Sequence, residues 1–516
     1  TNSTLGHIVI SDPVEGTRFS GQLPYEPDFN VGEYSGSKTF EMNPGERFGL
    51  MLIADTWTQE VFDEPGGSTS TRPLFSMTEA NPGENNVQFV KLLDIEADDN
   101  AFAFEDLLVE GKSDRDYNDL TFQVQGAIGQ ATLLDDVINP TRDWRASDVG
   151  QEILIHVGSS DNGSLKNIGS DLAQVFLEYE TYIGSGGDPS LFESSNFLLQ
   201  VQDGQIVVDA VASDTDDANS LLADLTALGL QQGAVFGAVV SGLLPIEAID
   251  EISTIDNLTF ANPAYQPLTN IGSADARQPV SQIDQAINSN VARRDFNVDG
   301  NGVTVGVISD SYNALGGATN DVQSGDLPGI NNPNQFETAV DILKDDDNNN
   351  NTDEGRAMAQ LIHDVAPGAN LAFHTGNFGT ANFAQGIIDL ADAGANVIVD
   401  DLTYPNQPMF QDGIIAQAVD RVVDRGVAYF SSAGNQANNS YENSFVSSGQ
   451  IIQGSVAHDF DPGPGIDTLQ QITIPAETNL VVSLQWDSPF LSASSVSGGA
   501  TSDLNIYLLD DTGTQV

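Results

Sequence analysis

The chain has 516 residues, room for roughly three or four domains of about 150 residues, and 40% of them are hydrophobic, which excludes wholesale disorder. Seventeen basic residues against 75 acidic ones, a formal charge of −58, exclude a nucleic-acid partner and disfavour an anionic membrane, while favouring cations, calcium above all. The absence of Cys removes disulfides, thiolate zinc sites and cysteine nucleophiles together, and no apolar run approaches the roughly 20 residues of a membrane span.

The chain begins at Thr1 with no charged-then-apolar leader, which reads as a removed signal peptide or a fragment. Residues 1–126 are short strands cut by Gly, Pro and Asn turns: FGLMLIAD (48–55), VQFVKLLDI (87–95), FAFEDLL (102–108) and LTFQVQG (120–126). With little helical period, they predict an antiparallel β-sandwich. Within it, Glu105, Asp106, Asp114, Asp116, Asn118 and Asp119 gather hard oxygen donors in the number calcium wants. A polar turn with a solvated acidic face is the alternative reading. Residues 127–190 read as a polar connector with one or two short helices.

Residues 191–265 change pattern. FLLQVQDGQIVVDAV predicts two strands meeting at Asp203-Gly204, a favoured hairpin pair. Leu221, Leu222, Leu225 and Leu228 mark one stripe of a helix; AVFGAVVSGLLP follows as a strand and IEAIDEI as a second helix. Residues 266–300 are a Gln/Asn/Asp-rich linker. DFNVDGNG (295–302) begins like a calcium loop, but Gly306 stands where the bidentate Glu should be.

From 301 to 455 strand and helix alternate: VTVGVIS (303–309), EGRAMAQLIHDV (354–365), NLAFHT (370–375), FAQGIIDLADAG (383–394), NVIVDDL (396–402), GIIAQAVDRVVDRG (413–426) and VAYFSS (427–432). Near-continuous apolar strands between amphipathic helices predict a doubly wound parallel sheet, whose reactive groups gather at the carboxyl ends of its strands. Asp310 follows the first strand and suits orientation of a base, or a cap. Glu354 opens a helix whose expected buried face is Met358, Leu361, Ile362 and Val365; it is a candidate base, or an N-terminal charge cap. His363, nine residues on and about 900° around, faces the other side and is expected in solvent. Asn435, on a Gly turn after a strand, suits donation to an oxyanion, or is an ordinary turn residue. DDDNNNNTD (345–353) reads as a solvated insertion loop. LQQITIPA, NLVVSLQW and SDLNIYLLD in 456–516 predict a C-terminal β-sandwich insertion.

Three blocks together resemble the subtilase superfamily. GNGVTVGVISDS resembles its aspartate block, EGRAMAQLIHDVAPGANL the block in which HGTxVAG precedes VAPxAxL, and GVAYFSSAGNQ the oxyanion block. The resemblance implies a multidomain serine endopeptidase that takes protein or peptide substrates, with catalytic Asp310 and Asn435 and with Glu354 in the histidine's position. A carboxylate there is similar to the sedolisin branch, although that branch's second acid is here Met358 and its oxyanion Asp is here Asn435. No Gly-Thr-Ser-x-x-x-Pro nucleophile block occurs, so the peptidase domain reads as truncated, with the serine beyond Val516. A base carboxyl sharing a proton with Asp310 predicts an optimum on the acid side of neutral. Residues 191–265 resemble a subtilase pro-domain, and SDRDYNDL resembles a secreted bacterial β domain, which together imply an extracellular or cell-surface location. The competing reading is an inactive subtilisin-fold protein that binds calcium and partners.

Overall fold

The computed structural model describes residues 48–53, 73–81, 86–92, 100–109, 113–124, 131–158, 165, 167–269, 282–436, 439–452, 455–461, 463–473, 480–493, 499–502 and 504–509. Expectations for the remaining positions, including the ends of several expected strands, lie outside the described residues. Two units divide the chain, Thr1–Ala264 and Tyr265–Val516.

In the first unit, β1 (Met51–Leu52) and β2 (Leu74–Phe75) form an antiparallel ribbon. A four-stranded sheet in the order β5-β4-β3-β6 joins β3 (Phe89–Lys91), β4 (Asn100–Phe104), β5 (Leu120–Val124) and β6 (Thr132–Leu133). Strand alternation sends Phe89, Phe102, Phe104 and Phe122 to one face, where the Phe89 and Phe102 rings stack with centroids 4.7 Å apart. The other face, carrying Val90, Ala101 and Ala103, packs against Leu154, Val157 and Leu177. Those residues belong to helices α1 (Asp148–Gly158) and α2 (Ser170–Gly184), so among the described residues this face is helix-covered and not half of the expected β-sandwich. Leu134, Trp144, Leu154, Val157 and Leu177, all within the expected polar connector of 127–190, accordingly belong to this core. The small Ala101 and Ala103 side chains leave the room that the helices fill.

Further along, β7 (Val201–Gln202) and β8 (Gln205–Ala212) meet at Asp203 (φ 50°) and Gly204 (φ 73°), the left-handed pair of a type I′ turn. Helix α3 (Ala218–Ala227) buries Leu221 and Leu225. AVFGAVVSGLLP is not one strand. Gly237 adopts φ 59° and splits the run into the hairpin β9 (Gln231–Phe236) and β10 (Val239–Pro245). IEAIDEI yields only a 3-10 turn and the short α4 (Ile249–Ile252). β11 (Leu258–Pro263) closes an antiparallel sheet in the order β11-β8-β10-β9, with β7 on β8.

The second unit begins with β12 (Leu268–Thr269), α5 (Ile283–Ala286) and α6 (Ser289–Phe296). Its main sheet is parallel throughout, ordered β14-β15-β13-β16-β18 from β13 (Thr304–Ser309), β14 (Asp341–Lys344), β15 (Asn370–Thr375), β16 (Val397–Asp400) and β18 (Ala428–Ser431). Helix α7 (Ala318–Ser324) precedes β14, and α8 (Glu354–Val365) packs on the face of β13 that carries Val305 and Val307. Helix α9 (Thr380–Asp392) takes the opposite face, where Leu390 lies against Gly306, and contacts α10 (Ile414–Asp424). Helices on both faces make the sheet doubly wound. β17 (Leu402–Thr403) leaves the main sheet to pair antiparallel with β12.

Three local expectations fail here. The innermost line of α8 is Glu354, Gly355, Ala359 and His363, whereas Leu361 is 41% exposed. Small Gly355 and Ala359 let the helix sit close to the sheet, and that rotation buries His363 against Phe336 in an edge-to-face contact at 5.2 Å. Asp346, Asn351 and Asp353 of the expected solvated loop are buried instead. Beyond the small hairpin β19 (Ser447–Ile452) and β20 (Ser455–His458), no further ladder forms among the described residues of 456–516. Ile466, Leu469 and Val482 stay exposed there, because an alternating pattern without a paired neighbour does not make a strand.

Candidate functional site

At the carboxyl end of β13 the chain delivers Ser309, Asp310 and Ser311, all buried. The Asp310 carboxylate is occupied by donors. Oδ1 accepts from the Ser311 amide at 2.6 Å and the Glu354 amide at 3.2 Å; Oδ2 accepts from the Thr352 amide and hydroxyl, both at 2.6 Å. Asp310 thus ties the strand tip to the first turn of α8, satisfying amides that a helix N-terminus leaves open. Asp353, left-handed at φ 57°, completes the joint by exchanging hydrogen bonds with the Ser311 hydroxyl at 2.9 Å.

Glu354 is buried, and its Oε2 accepts from the Ser309 hydroxyl at 3.2 Å. Burial pushes its carboxyl up to about 7; the Asp401 charge and a carboxyl–carboxyl hydrogen bond with Asp401 add to this, as does the Asp310 charge, while the Ser309 bond opposes it. Asp310 and Glu354 are therefore brought together through the backbone, and the acid that meets the Glu354 side chain is Asp401. A carboxyl with that value is half ionised near neutrality.

The neighbouring strand tips continue the site. Asp400 is paired in register with Ile308 on one side and Ser431 on the other, and its Oδ1 accepts from the Ser431 hydroxyl at 2.9 Å. Asn435 lies in the exposed turn after β18, on the second strand from β13, with Gly434 at φ 72° beside it. Sequence reasoning misses Asp401 as a partner of Glu354. Its signal is the Asp400–Asp401 doublet that ends the apolar run VIV.

In the first unit the six acidic-cluster residues come together in part. Glu105, Asp106 and Asp119 form one group, and Glu105, Asp114 and Asp116 a second, the ligand atoms of each group lying within 4.8 Å of one another. Asn118 is buried beside them in sequence. Arg115 (φ 62°) and Tyr117 (φ 56°) alternate left-handed with the acids. The loop is fixed from outside: Trp144 Nε1 donates to the Asp116 carbonyl at 2.9 Å, and the Tyr117 hydroxyl donates to the Val87 carbonyl at 2.7 Å. Burial, reinforced by the Asp119 and Asp114 charges, pushes the Glu105 carboxyl up to about 8.

Comparison with known proteins adds three findings. A domain of unknown function, DUF4114, matches residues 42–127. No curated protein matches the chain. Solved structures that it resembles are subtilisin-like serine proteases. One is fervidolysin from Fervidobacterium pennivorans, a keratinolytic enzyme related to subtilisin, at 15% identity and a TM-score of 0.22 over 47% of this chain and 43% of that one. Another is the epidermin leader peptide processing serine protease EpiP from Staphylococcus aureus, at 12% identity and 0.27 over 45% of this chain and 60% of that one. The chain thus spans less than two thirds of either protein.

Proposed function

We propose that the second unit supplies the acid–base half of a subtilisin-like serine endopeptidase, extracellular or at the cell surface, in which Glu354 replaces histidine as general base. The observation that carries this reading is the buried Glu354 carboxyl at the start of α8, against the carboxyl end of a parallel strand and poised near neutrality. In this reading the Glu354 carboxylate takes the proton of an attacking hydroxyl and returns it to the leaving amine. Asp310 positions the helix end, Ser309 orients the carboxyl, and Asn435 donates to the developing oxyanion. The reading needs a serine nucleophile block, and no Gly-Thr-Ser-x-x-x-Pro occurs in the 516 residues.

The antiparallel pairing of Leu268–Thr269 with Leu402–Thr403, immediately after Asp401, supports a cleft that binds extended protein or peptide segments by strand addition. It also agrees with a pro-domain role for residues 191–265, whose following segment then occupies that edge. The test is peptide cleavage and fluorophosphonate labelling of a longer protein that carries such a nucleophile block. Loss of cleavage in Glu354→Gln, with labelling of the wild type, is the expected result. Unchanged cleavage in that variant overturns the mechanism.

One observation favours a second reading, a subtilisin-fold protein retained for binding alone. Both Asp310 oxygens are taken up by Ser311, Thr352 and Glu354 donors, so Asp310 fixes structure whether or not any chemistry occurs. Absence of fluorophosphonate labelling in the longer protein selects that reading.

A further inference from the structure

We propose that the acidic loop of the first unit is a calcium site, with Glu105, Asp114 and Asp116 as its buried carboxylate ligands and Asp106 and Asp119 as a second group sharing Glu105. The donor set is all oxygen, which selects a hard cation over zinc or copper. Each group brings three carboxylates together, their ligand atoms within 4.8 Å of one another, whereas magnesium is usually held by one or two carboxylates and keeps its waters, so calcium is the hard cation this set suits.

A second observation is independent of the clustering. Glu105 is 1% exposed, and its Oε1 is buried without a hydrogen-bond partner, although Oε2 accepts from the Tyr117 amide at 3.4 Å. A buried acceptor left open is costly unless a cation or donor completes it. The Arg142 guanidinium approaches the cluster from the outside, ion-paired with Asp114 and 3.7 Å from Asp116 Oδ2. Its side chain is 37% exposed and so can turn outward when an ion binds. The loop meanwhile is held by Trp144, Tyr117 and the Asn139 amide, which donates to the Arg115 carbonyl at 2.8 Å, so the ligands are arranged before the ion arrives.

Trp144 also provides a specific readout. Its indole is hydrogen-bonded to the backbone of Asp116, so a terbium ion at the site is sensitised by excitation of this tryptophan. The experiment uses the full chain stripped of metal, titrated with calcium chloride by calorimetry and with terbium by luminescence, beside Glu105→Gln, Asp114→Asn and the exposed control Asp136→Asn. The expected result is calcium-competable terbium emission, and a loss of calcium affinity of at least tenfold in Glu105→Gln and Asp114→Asn but not in the control. Glu105→Gln is further expected to abolish the calcium-induced rise in melting temperature, because it removes the carboxylate that both groups share. Asp114 is the less buried ligand, so its variant keeps the test valid should Glu105→Gln fold poorly. Calcium affinity within twofold of wild type in both folded variants, or terbium emission that calcium does not displace, overturns the proposal.

Discussion

Glu354 illustrates how a single position can serve two demands that pull in opposite directions. A helix N-terminus favours its charged form, yet burial and the neighbouring Asp401 favour the protonated one and prevail. Stability carries the signature. The folded pKa, about 7, lies above the ordinary 4.5, so between those values the folded state holds a proton that the unfolded chain has lost. Stability therefore falls as pH rises from about 4.5 to 7 and levels off above that. The contribution is of the order of 2 kcal/mol after discounting for solvent screening. Glu105 acts with the same sign up to about 8, so the Glu354 share is the difference between wild type and Glu354→Gln. Denaturant melts at pH 5 and pH 8 should show the variant losing less stability than the wild type; an equal loss in both contradicts the raised pKa.

At the scale of elements, the seating of α8 decides whether Glu354 reaches the strand tip at all. A Cβ on Gly355 would stand 2.3 Å from Phe373 Cε2 and 2.8 Å from the Ser311 carbonyl oxygen. Gly355→Ala should therefore cost about 1–3 kcal/mol by overpacking, despite the better helix propensity of alanine. A denaturation midpoint equal to or above wild type would show that the helix is not seated this closely. Much of this level is legible in the sequence. The β/α alternation from Thr304 to Ser431, the Asp203–Gly204 hairpin and the opening of α8 at Glu354 all follow from local pattern and turn chemistry. The misses have a common cause, in that tertiary packing overrides periodicity. Spacing alone points Leu361 inward, but Gly355 and Ala359 are the residues small enough to approach the sheet. Interspersed polar residues make α1 and α2 read as short helices of a polar connector and hide their buried faces, and the acids that follow β14 mask that strand. The site is legible to the same degree, since Asp310 and Glu354 announce themselves by register while Asp401, brought in by β16, does not.

At the scale of the whole molecule, charge dominates. A formal −58 on 516 residues makes self-repulsion a standing cost to the folded state. Raising sodium chloride from 50 to 500 mM shortens the screening length from roughly 14 to 4 Å and should raise the melting temperature by a few degrees. Calcium at the first-unit cluster should add an increment that Glu105→Gln lacks and that sodium does not replace. A melting temperature unmoved by salt would mean that the acids are already compensated.

That Glu354 acts as the base of a subtilisin-like peptidase is tested most directly by the pH dependence of kcat/KM for peptide cleavage by a longer protein that carries a serine nucleophile block. A rising limb near pH 7 is expected in the wild type, with a loss of roughly 100- to 10,000-fold in Glu354→Gln. A Glu354→Gln variant that retains the wild-type rate and the same limb would contradict it.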